Sequence, residues 1–85
     1  MAYTVIWTAK AVKLLDKLPR ETAAQIVSSI EQIRDHPFRH IRWLKGSPYF
    51  RHRVGKYRVI LDIRRRALII YVIKIGKRDT VYRDL

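Results

Sequence analysis

The fold of this chain is decided by the segment Tyr49-Phe50-Arg51-His52-Arg53-Val54-Gly55-Lys56-Tyr57-Arg58-Val59-Ile60-Leu61-Asp62-Ile63. It predicts a β-hairpin, because two runs rich in β-branched and aromatic residues flank a Gly55-Lys56 turn. Successive side chains of a strand point to opposite faces. The first strand therefore has one largely apolar face and one face that carries Arg51 and Arg53.

Upstream of the hairpin, the sequence predicts a strand and two helices. Tyr3 to Trp7 is β-branched and aromatic, and Thr8 can cap a helix from Ala9 to Leu18 that Pro19 ends. A second helix stops at His36-Pro37, because the residue before a proline avoids helical backbone angles. Its apolar residues recur at the spacing of one helical face: Ala23, Ile26, Val27, Ile30 and Ile33.

Downstream of the hairpin, the sequence predicts one more strand and a short terminal helix. After a charged turn at Arg64-Arg65-Arg66, the segment Ala67 to Ile75 is apolar enough to be a central strand buried on both faces. Gly76 is expected to break that strand, and Thr80 to Leu85 to form the helix. The loop from Phe38 to Pro48 is expected to be irregular.

Together these elements predict a small α+β domain that spans residues 1–85, in the order β-α-α-β-β-β. An antiparallel-rich sheet would pack against an N-terminal α-hairpin and carry a short C-terminal helix. A chain of 85 residues has room for one small core only.

Composition narrows the class of protein further. The chain has no cysteine, so it has neither a disulfide framework nor a cysteine zinc site. No Asp or Glu has the spacing to form a metal site with His36 or His40. The longest apolar run, Ala67 to Ile73, is far short of the ~20 residues that span a bilayer, and the N-terminus lacks the layout of a signal peptide. We expect a soluble cytoplasmic domain without metal or cofactor.

Charge is the strongest functional signal. Nineteen Lys and Arg against seven Asp and Glu give a formal net charge of +12. There is no carboxylate between His36 and Leu61, and aromatic rings, including those of Trp43, Tyr49 and Tyr57, lie among the basic residues of that stretch. The basic residues are Arg39, Arg42, Lys45, Arg51, Arg53, Lys56 and Arg58. A cationic surface interleaved with aromatic rings is typical of nucleic-acid binding.

The strand alternation predicts that arginines from three segments converge near one end of the sheet. Arg58 follows the hairpin turn, and Arg78 lies just beyond the last strand, so both can join the two arginines of the first hairpin strand. Tyr82 follows Arg78 by four residues, a spacing that places both on one side of a helical turn. His52 lies between apolar neighbours, which favours a packed or hydrogen-bonded histidine over a catalytic one.

Three local signatures together resemble the RelE/ParE superfamily of bacterial and archaeal type II toxins. They are Leu44-Lys45-Gly46, the hairpin from Arg51 to Ile60, and the closing segment from Ile75 to Tyr82. The resemblance covers nearly the whole chain. It implies an endoribonuclease that needs no metal, cuts messenger RNA in the ribosomal A site, and has a cognate antitoxin as its partner.

The resemblance also implies roles for individual residues. Arg51 and Arg53 match basic residues that assist activation of the 2′-hydroxyl nucleophile, and Arg58 matches the arginine that stabilises charge on the phosphate. Arg78 matches a basic group near the leaving oxygen, and Tyr82 matches the aromatic residue that stacks on the substrate. Five further basic residues are expected to bind RNA: Arg42, Lys45, Lys56, Lys77 and Arg83.

The chain departs from the family pattern in its general base. Many RelE toxins have lysines where Arg51 and Arg53 stand, and an arginine is never deprotonated in proteins. No glutamate lies beside Leu44-Lys45-Gly46 either. Tyr82, Lys77 and catalysis by charge stabilisation alone stay open, whereas His52 could act only if it faced the arginines. Two other functions also stay open, namely inhibition of DNA gyrase as by ParE-like toxins, and RNA or ribosome binding without catalysis.

Overall fold

Two helices cover one face of a five-stranded sheet in the computed structural model, which describes residues 2–83 and 85. The sheet has the order β1-β5-β4-β3-β2, and all neighbours are antiparallel except β1 and β5. The elements, in chain order, are β1 (Thr4–Trp7), α1 (Ala9–Asp16), α2 (Arg20–Gln32), a 3₁₀ turn (Pro37–Arg39), β2 (Arg42–Trp43), β3 (Phe50–Val54), β4 (Tyr57–Arg64) and β5 (Ile69–Lys77). The predicted α+β class and antiparallel-rich sheet are confirmed.

Thr8 connects the first helix to the sheet. Its hydroxyl accepts a hydrogen bond from the Ala11 amide at 3.3 Å and donates one to the Val72 carbonyl at 2.8 Å. The helix ends at Asp16, two residues before the predicted end, because the amides of Lys17 and Leu18 bond three residues back and tighten the last turn. The cap therefore fixes α1 on β5.

The main core lies between the helices and the inner face of the sheet. Ile26 and Ile30 of α2 are fully buried, which confirms the predicted apolar face of that helix, and Ala11 of α1 is fully buried as well. They meet the inward side chains of the sheet: Val54, Val59, Leu61, Ile70, Val72 and Ile75. We call this the inner face, and the side away from the helices the outer face.

The prediction of a central strand buried on both faces is wrong for β5. This strand is interior, between β1 and β4, but its outward residues Ile69, Tyr71 and Ile73 are only half-buried, because both helices pack on the other face. The central and most continuously buried strand is β4.

The sequence predicted that Gly76 would break β5, and this prediction is wrong. Gly76 lies within the strand and pairs with Arg58. A bulge between Ile60 and Leu61 shifts the register, so that Ile60 pairs with Lys74 while Leu61 pairs with Val72. The extra residue in β5 changes the alternation of its side chains. As a result, Val72 and Ile75 both point into the core, and Gly76 lies on the outer face.

The last segment is also different from the prediction. Residues 78–83 form consecutive turns on the outer face instead of the start of a helix from Thr80 to Leu85, and Asp84 lies outside the described residues. Val81 is fully buried against Gly76, where an added Cβ atom would stand 3.2 Å from the Val81 Cβ. The glycine therefore allows the tail to lie close to the sheet.

The loop from Phe38 to Pro48 is more ordered than predicted. It contains the 3₁₀ turn and the two-residue strand β2, which pairs with β3. The Trp43 indole donates a hydrogen bond to the Ser47 carbonyl at 2.8 Å, and the Leu44 amide bonds the Tyr49 carbonyl at 2.9 Å. None of the helices in residues 2–83 and 85 is long and apolar enough to cross a membrane.

We expect Gly76→Ala to lower the free energy of unfolding by about 1–3 kcal/mol, the usual effect of adding a methyl group to a close-packed site. The added Cβ would press on Val81, and the backbone at Gly76 does not have the positive φ that itself favours glycine. Urea unfolding measures the effect. A midpoint equal to that of the wild type would contradict close packing of the tail on β5.

Candidate nucleic-acid interface

The register of the hairpin places arginines directly opposite one another on the outer face. Arg42 of β2 pairs with Arg51 of β3, and Arg53 of β3 pairs with Arg58 of β4. Directly paired residues lie on the same face of an antiparallel sheet, with their Cβ atoms ~5 Å apart. Like charges in such pairs repel each other, so this arrangement destabilises the sheet unless an anion lies between them.

These four arginines line one cleft. Its volume is about 150 Å³, and the fifth lining residue is His40. The ion pairs present in residues 2–83 and 85 lie elsewhere, between Arg34 and Glu31 and between Arg64 and Asp62. Within that part of the chain, no carboxylate neutralises the arginines of the cleft. We call this set of five residues the arginine cleft.

Arg58 is the most informative member of the arginine cleft. Arg58 is only 7% exposed. One terminal nitrogen of its guanidinium donates to the backbone carbonyls of Tyr57 at 3.1 Å and Gly55 at 3.4 Å. Its buried Nε has no hydrogen-bond partner among the described residues. A buried charged donor without a partner costs several kcal/mol. The arrangement fits an anionic ligand that completes the bonding of the guanidinium.

Tyr82 borders the arginine cleft from the C-terminal tail. Its hydroxyl accepts a long hydrogen bond, 3.4 Å, from a terminal nitrogen of Arg51. Beside it lies a second hollow of about 300 Å³, lined by Leu44, Lys45, Gly46, Ser47, Tyr82 and Leu85. The structure therefore places Lys45 and the aromatic ring next to the cleft, as neighbours on one surface.

The other predicted site residues do not line the arginine cleft. Arg78 is exposed in the turns that follow β5, and Lys56 is exposed in the hairpin turn. Lys77 ends β5 opposite Tyr57, and the Arg83 carbonyl accepts a hydrogen bond from Lys74. These residues extend the positive surface around the cleft without forming its wall.

His52 points away from the arginines, as predicted. The ring is buried on the inner face, where Nε2 lies 2.7 Å from the Ser29 hydroxyl of α2 and Nδ1 lies 3.3 Å from the His40 carbonyl. A carbonyl only accepts, so Nδ1 carries a proton, and in the neutral ring Nε2 accepts from Ser29. Burial lowers the pKa of His52, which keeps the ring neutral near pH 7.

His40 lines the arginine cleft, although the sequence did not predict it as a site residue. The signal was present in the segment His40-Ile41-Arg42, which alternates polar and apolar residues. Ile41 packs against the main core, and its neighbours in an extended chain then point the other way. His40 and Arg42 consequently line the same cleft.

A larger hollow than the arginine cleft lies elsewhere. It measures about 430 Å³ and is lined mostly by apolar groups on the outer side of β5, together with Asp62 and Arg64. Those two charged side chains already pair with each other at 3.0 Å. Size alone would favour this hollow, but its two charged side chains already neutralise each other. The arginines of the smaller cleft have no such carboxylate partner among the described residues, so we regard the arginine cleft as the functional candidate.

A family model and several solved structures both relate this chain to toxins of type II toxin-antitoxin systems. The family model of the ParE toxin of the type II toxin-antitoxin system, parDE, matches residues 5–82. The fold is similar to the toxin-antitoxin complex RelBE2 from Mycobacterium tuberculosis, with a TM-score of 0.86, 26% identity, and coverage of 92% of this chain and 93% of that chain. No curated protein matches the chain in sequence.

Two further structures share the fold at lower sequence identity. The archaeal RelE-RelB complex from Pyrococcus horikoshii has a TM-score of 0.79 and 24% identity, and the match covers 95% of this chain and 100% of that one. The intact RelBE toxin-antitoxin complex from E. coli has a TM-score of 0.77 and 21% identity, with coverage of 89% and 96%.

We expect Arg58→Met to raise the free energy of unfolding, on the order of 1 kcal/mol or more. The change replaces a buried, incompletely bonded cation by an apolar side chain of similar length. Arg66→Met, in the exposed turn between β4 and β5, is the control and should leave the stability nearly unchanged. A lower urea midpoint for Arg58→Met in phosphate-free buffer would contradict the view that Arg58 is retained for a ligand.

The buried His52 ring predicts that stability falls in acid. Its folded-state pKa lies below the ordinary value near 6.5, so the stability it contributes is complete above pH 6.5 and is lost as the pH falls below that value. Urea unfolding between pH 7.5 and pH 5 should show this loss in the wild type and a smaller loss in His52→Gln. Equal pH dependence of stability in both proteins would contradict a lowered pKa for His52 in the folded state.

Proposed function

Since the chain belongs to the RelE/ParE superfamily of type II toxins, we propose that it is an endoribonuclease that cleaves messenger RNA in the ribosomal A site. The observation that carries this proposal is the arginine cleft, and above all the buried Arg58 whose Nε has no partner among the described residues. Phosphate is the ligand whose charge and geometry suit such a guanidinium. Cleavage of messenger RNA would stop translation.

The proposed reaction needs charge stabilisation above all. The 2′-hydroxyl of one nucleotide attacks the adjacent phosphorus, and the products are a cyclic phosphate and a 5′-hydroxyl. Negative charge builds up on the equatorial oxygens of the phosphate, where preorganised guanidinium groups stabilise it without rearrangement. Arg58, the buried member of the cleft, would hold these oxygens, while Arg51 and Arg53 would bind the nucleotide from the β3 side. In this proposal no metal ion is required, because the guanidinium groups supply the positive charge.

The position of Tyr82 favours RNA as the polyanion. Its ring borders both the arginine cleft and the hollow that contains Lys45. An aromatic ring beside a row of cations can stack on an unpaired base while the cations hold the flanking phosphates. Arg42, Lys45, Lys56, Lys77 and Arg83 extend the surface along which the strand and the ribosome would bind. We place Arg78, exposed beside β5, near the leaving oxygen.

We also propose that a cognate antitoxin holds the toxin inactive. The similar folds from Mycobacterium tuberculosis, Pyrococcus horikoshii and E. coli were solved as toxin-antitoxin complexes. A chain with a net charge of +12 would be matched by an acidic or amphipathic partner that covers the arginine cleft or the helices. Removal of that partner would expose the cationic face to RNA.

Inhibition of DNA gyrase is the second candidate function, and the description of the matching family model favours it, since that model is of the ParE toxin. The arginine cleft with its adjoining Tyr82 favours the ribonuclease. The two differ in the first event after induction in cells. Translation stops first in one case, and DNA-damage signalling begins first in the other.

Primer extension on a messenger RNA in a reconstituted translation reaction tests the ribonuclease. We expect the wild type to produce discrete cuts at A-site codons, only when ribosomes are present. Arg58→Met and Arg78→Ala should each lower the cleavage rate about 10²-fold or more, the usual loss of one transition-state donor. Arg66→Met is the matched control and should cleave normally.

Intact messenger RNA after incubation with folded wild-type protein would contradict the proposal. Gyrase supercoiling would then be assayed next. Strong, salt-sensitive binding to RNA without cleavage would instead identify a binding module, because each phosphate neutralised on a single strand changes the log–log slope by about −0.7.

A further inference from the structure

The arginine cleft contains four groups that cannot accept a proton and one that can. A guanidinium stays charged at any pH a protein tolerates and has no acceptor. His40 is the fifth lining residue, and imidazole is the side chain that takes up and releases protons near neutral pH. We propose that His40 is the general base of the cleft and removes the proton of the attacking 2′-hydroxyl. This proposal rests on the proposed ribonuclease function.

The backbone around His40 is held in place from three sides. The His40 amide donates to the Pro37 carbonyl at 3.0 Å and so closes the 3₁₀ turn. The next residue, Ile41, packs against the main core. The one after it, Arg42, is fixed in register opposite Arg51 in the sheet. These contacts hold the residue on the outer side, and its exposure leaves the ring open to a substrate at the mouth of the cleft.

His52 acts as a positioning residue for His40. Its Nδ1 donates to the His40 carbonyl at 3.3 Å, and its Nε2 accepts from the Ser29 hydroxyl at 2.7 Å. The ring thus links α2, β3 and the His40 backbone. His52 lies between Arg51 and Arg53 in sequence, so the strand that carries two of the cations also sets the position of the base. The inward-facing His52 therefore helps to fix the position of the outward-facing His40.

The proposed step balances without a further reagent. The neutral imidazole of His40 takes the proton of the 2′-hydroxyl, and the freed electron pair of O2′ forms the new bond to phosphorus. The bond from phosphorus to O5′ breaks, and its electron pair stays on O5′, which takes a proton from water. The imidazolium later returns its proton to solvent. The products are the 2′,3′-cyclic phosphate and the 5′-hydroxyl, with His40 neutral again.

The test compares wild type with His40→Gln and His40→Ala in single-turnover cleavage of ribosome-bound messenger RNA between pH 5.5 and 8.5. We expect the wild-type rate to rise with pH, because a general base must be unprotonated to act. His40→Gln should be slower by about 10²–10⁴-fold, the usual contribution of general-base catalysis, and should lack that limb of the profile. Added imidazole should restore part of the rate of His40→Ala.

Two controls separate chemistry from folding and positioning. His40 is exposed, so both His40 variants should unfold at the wild-type urea concentration and bind programmed ribosomes as the wild type does. His52→Gln should cleave more slowly but keep the rise of the rate with pH, because His40 is still present, although no longer held in position.

The outcomes are distinct. Wild-type protein that does not cleave overturns the ribonuclease function and this proposal with it. Wild-type protein that cleaves, together with a His40→Gln variant of equal rate and equal pH profile, overturns the role of His40 and leaves the ribonuclease function standing. A slow His40→Ala variant that imidazole does not accelerate, and that keeps the wild-type pH limb, would likewise overturn the role of His40.

Discussion

Concentrated positive charge on the outer face of the sheet determines what the other elements of this domain must provide. Arg58 is buried, its Nε has no hydrogen-bond partner among the described residues, and Arg53 stands directly opposite it. Repulsion and desolvation both oppose this arrangement. A chain of 85 residues has a small core, so the inner face must be well packed to hold the outer face in place. Fully buried Ile26, Ile30, Val59 and Leu61 supply that packing.

The two faces of β3 divide these tasks within one strand. Its inward His52 bonds α2 and the His40 backbone, while its outward arginines line the cleft. The tail closes the other side, because Gly76 leaves room for Val81 and the chain then brings Tyr82 to Arg51. The arginine cleft is therefore held in place by contacts from α2, from β3 and from the C-terminal tail. In the proposed ribonuclease, this division would keep the cations preorganised before RNA arrives.

The sequence predicted the parts of the molecule that follow from local periodicity. The hairpin, the amphipathic helices and the outward position of Arg51 and Arg53 all follow from alternation or helical spacing, and the structure agrees. The arrangement of the tail did not follow, because Val81 meets Gly76 only through tertiary packing. The bulge at Ile60/Leu61 is hidden in an apolar run, where either register looks equally hydrophobic. The sequence did not predict His40, because the strand that follows it, β2, has only two residues and is too short to show an alternating pattern.

The salt dependence of binding to an RNA that cannot be cleaved shows whether Arg58 is held in the cleft for a phosphate. Fluorescence anisotropy with a 2′-O-methyl oligonucleotide would give the slope of log affinity against log salt for the wild type, Arg58→Met and Arg66→Met. If Arg58 is held in the cleft for a phosphate, the slope of Arg58→Met should be shallower by about 0.7 and its affinity lower, and Arg66→Met should equal the wild type. Equal slopes and affinities for all three proteins would show that Arg58 does not hold a phosphate.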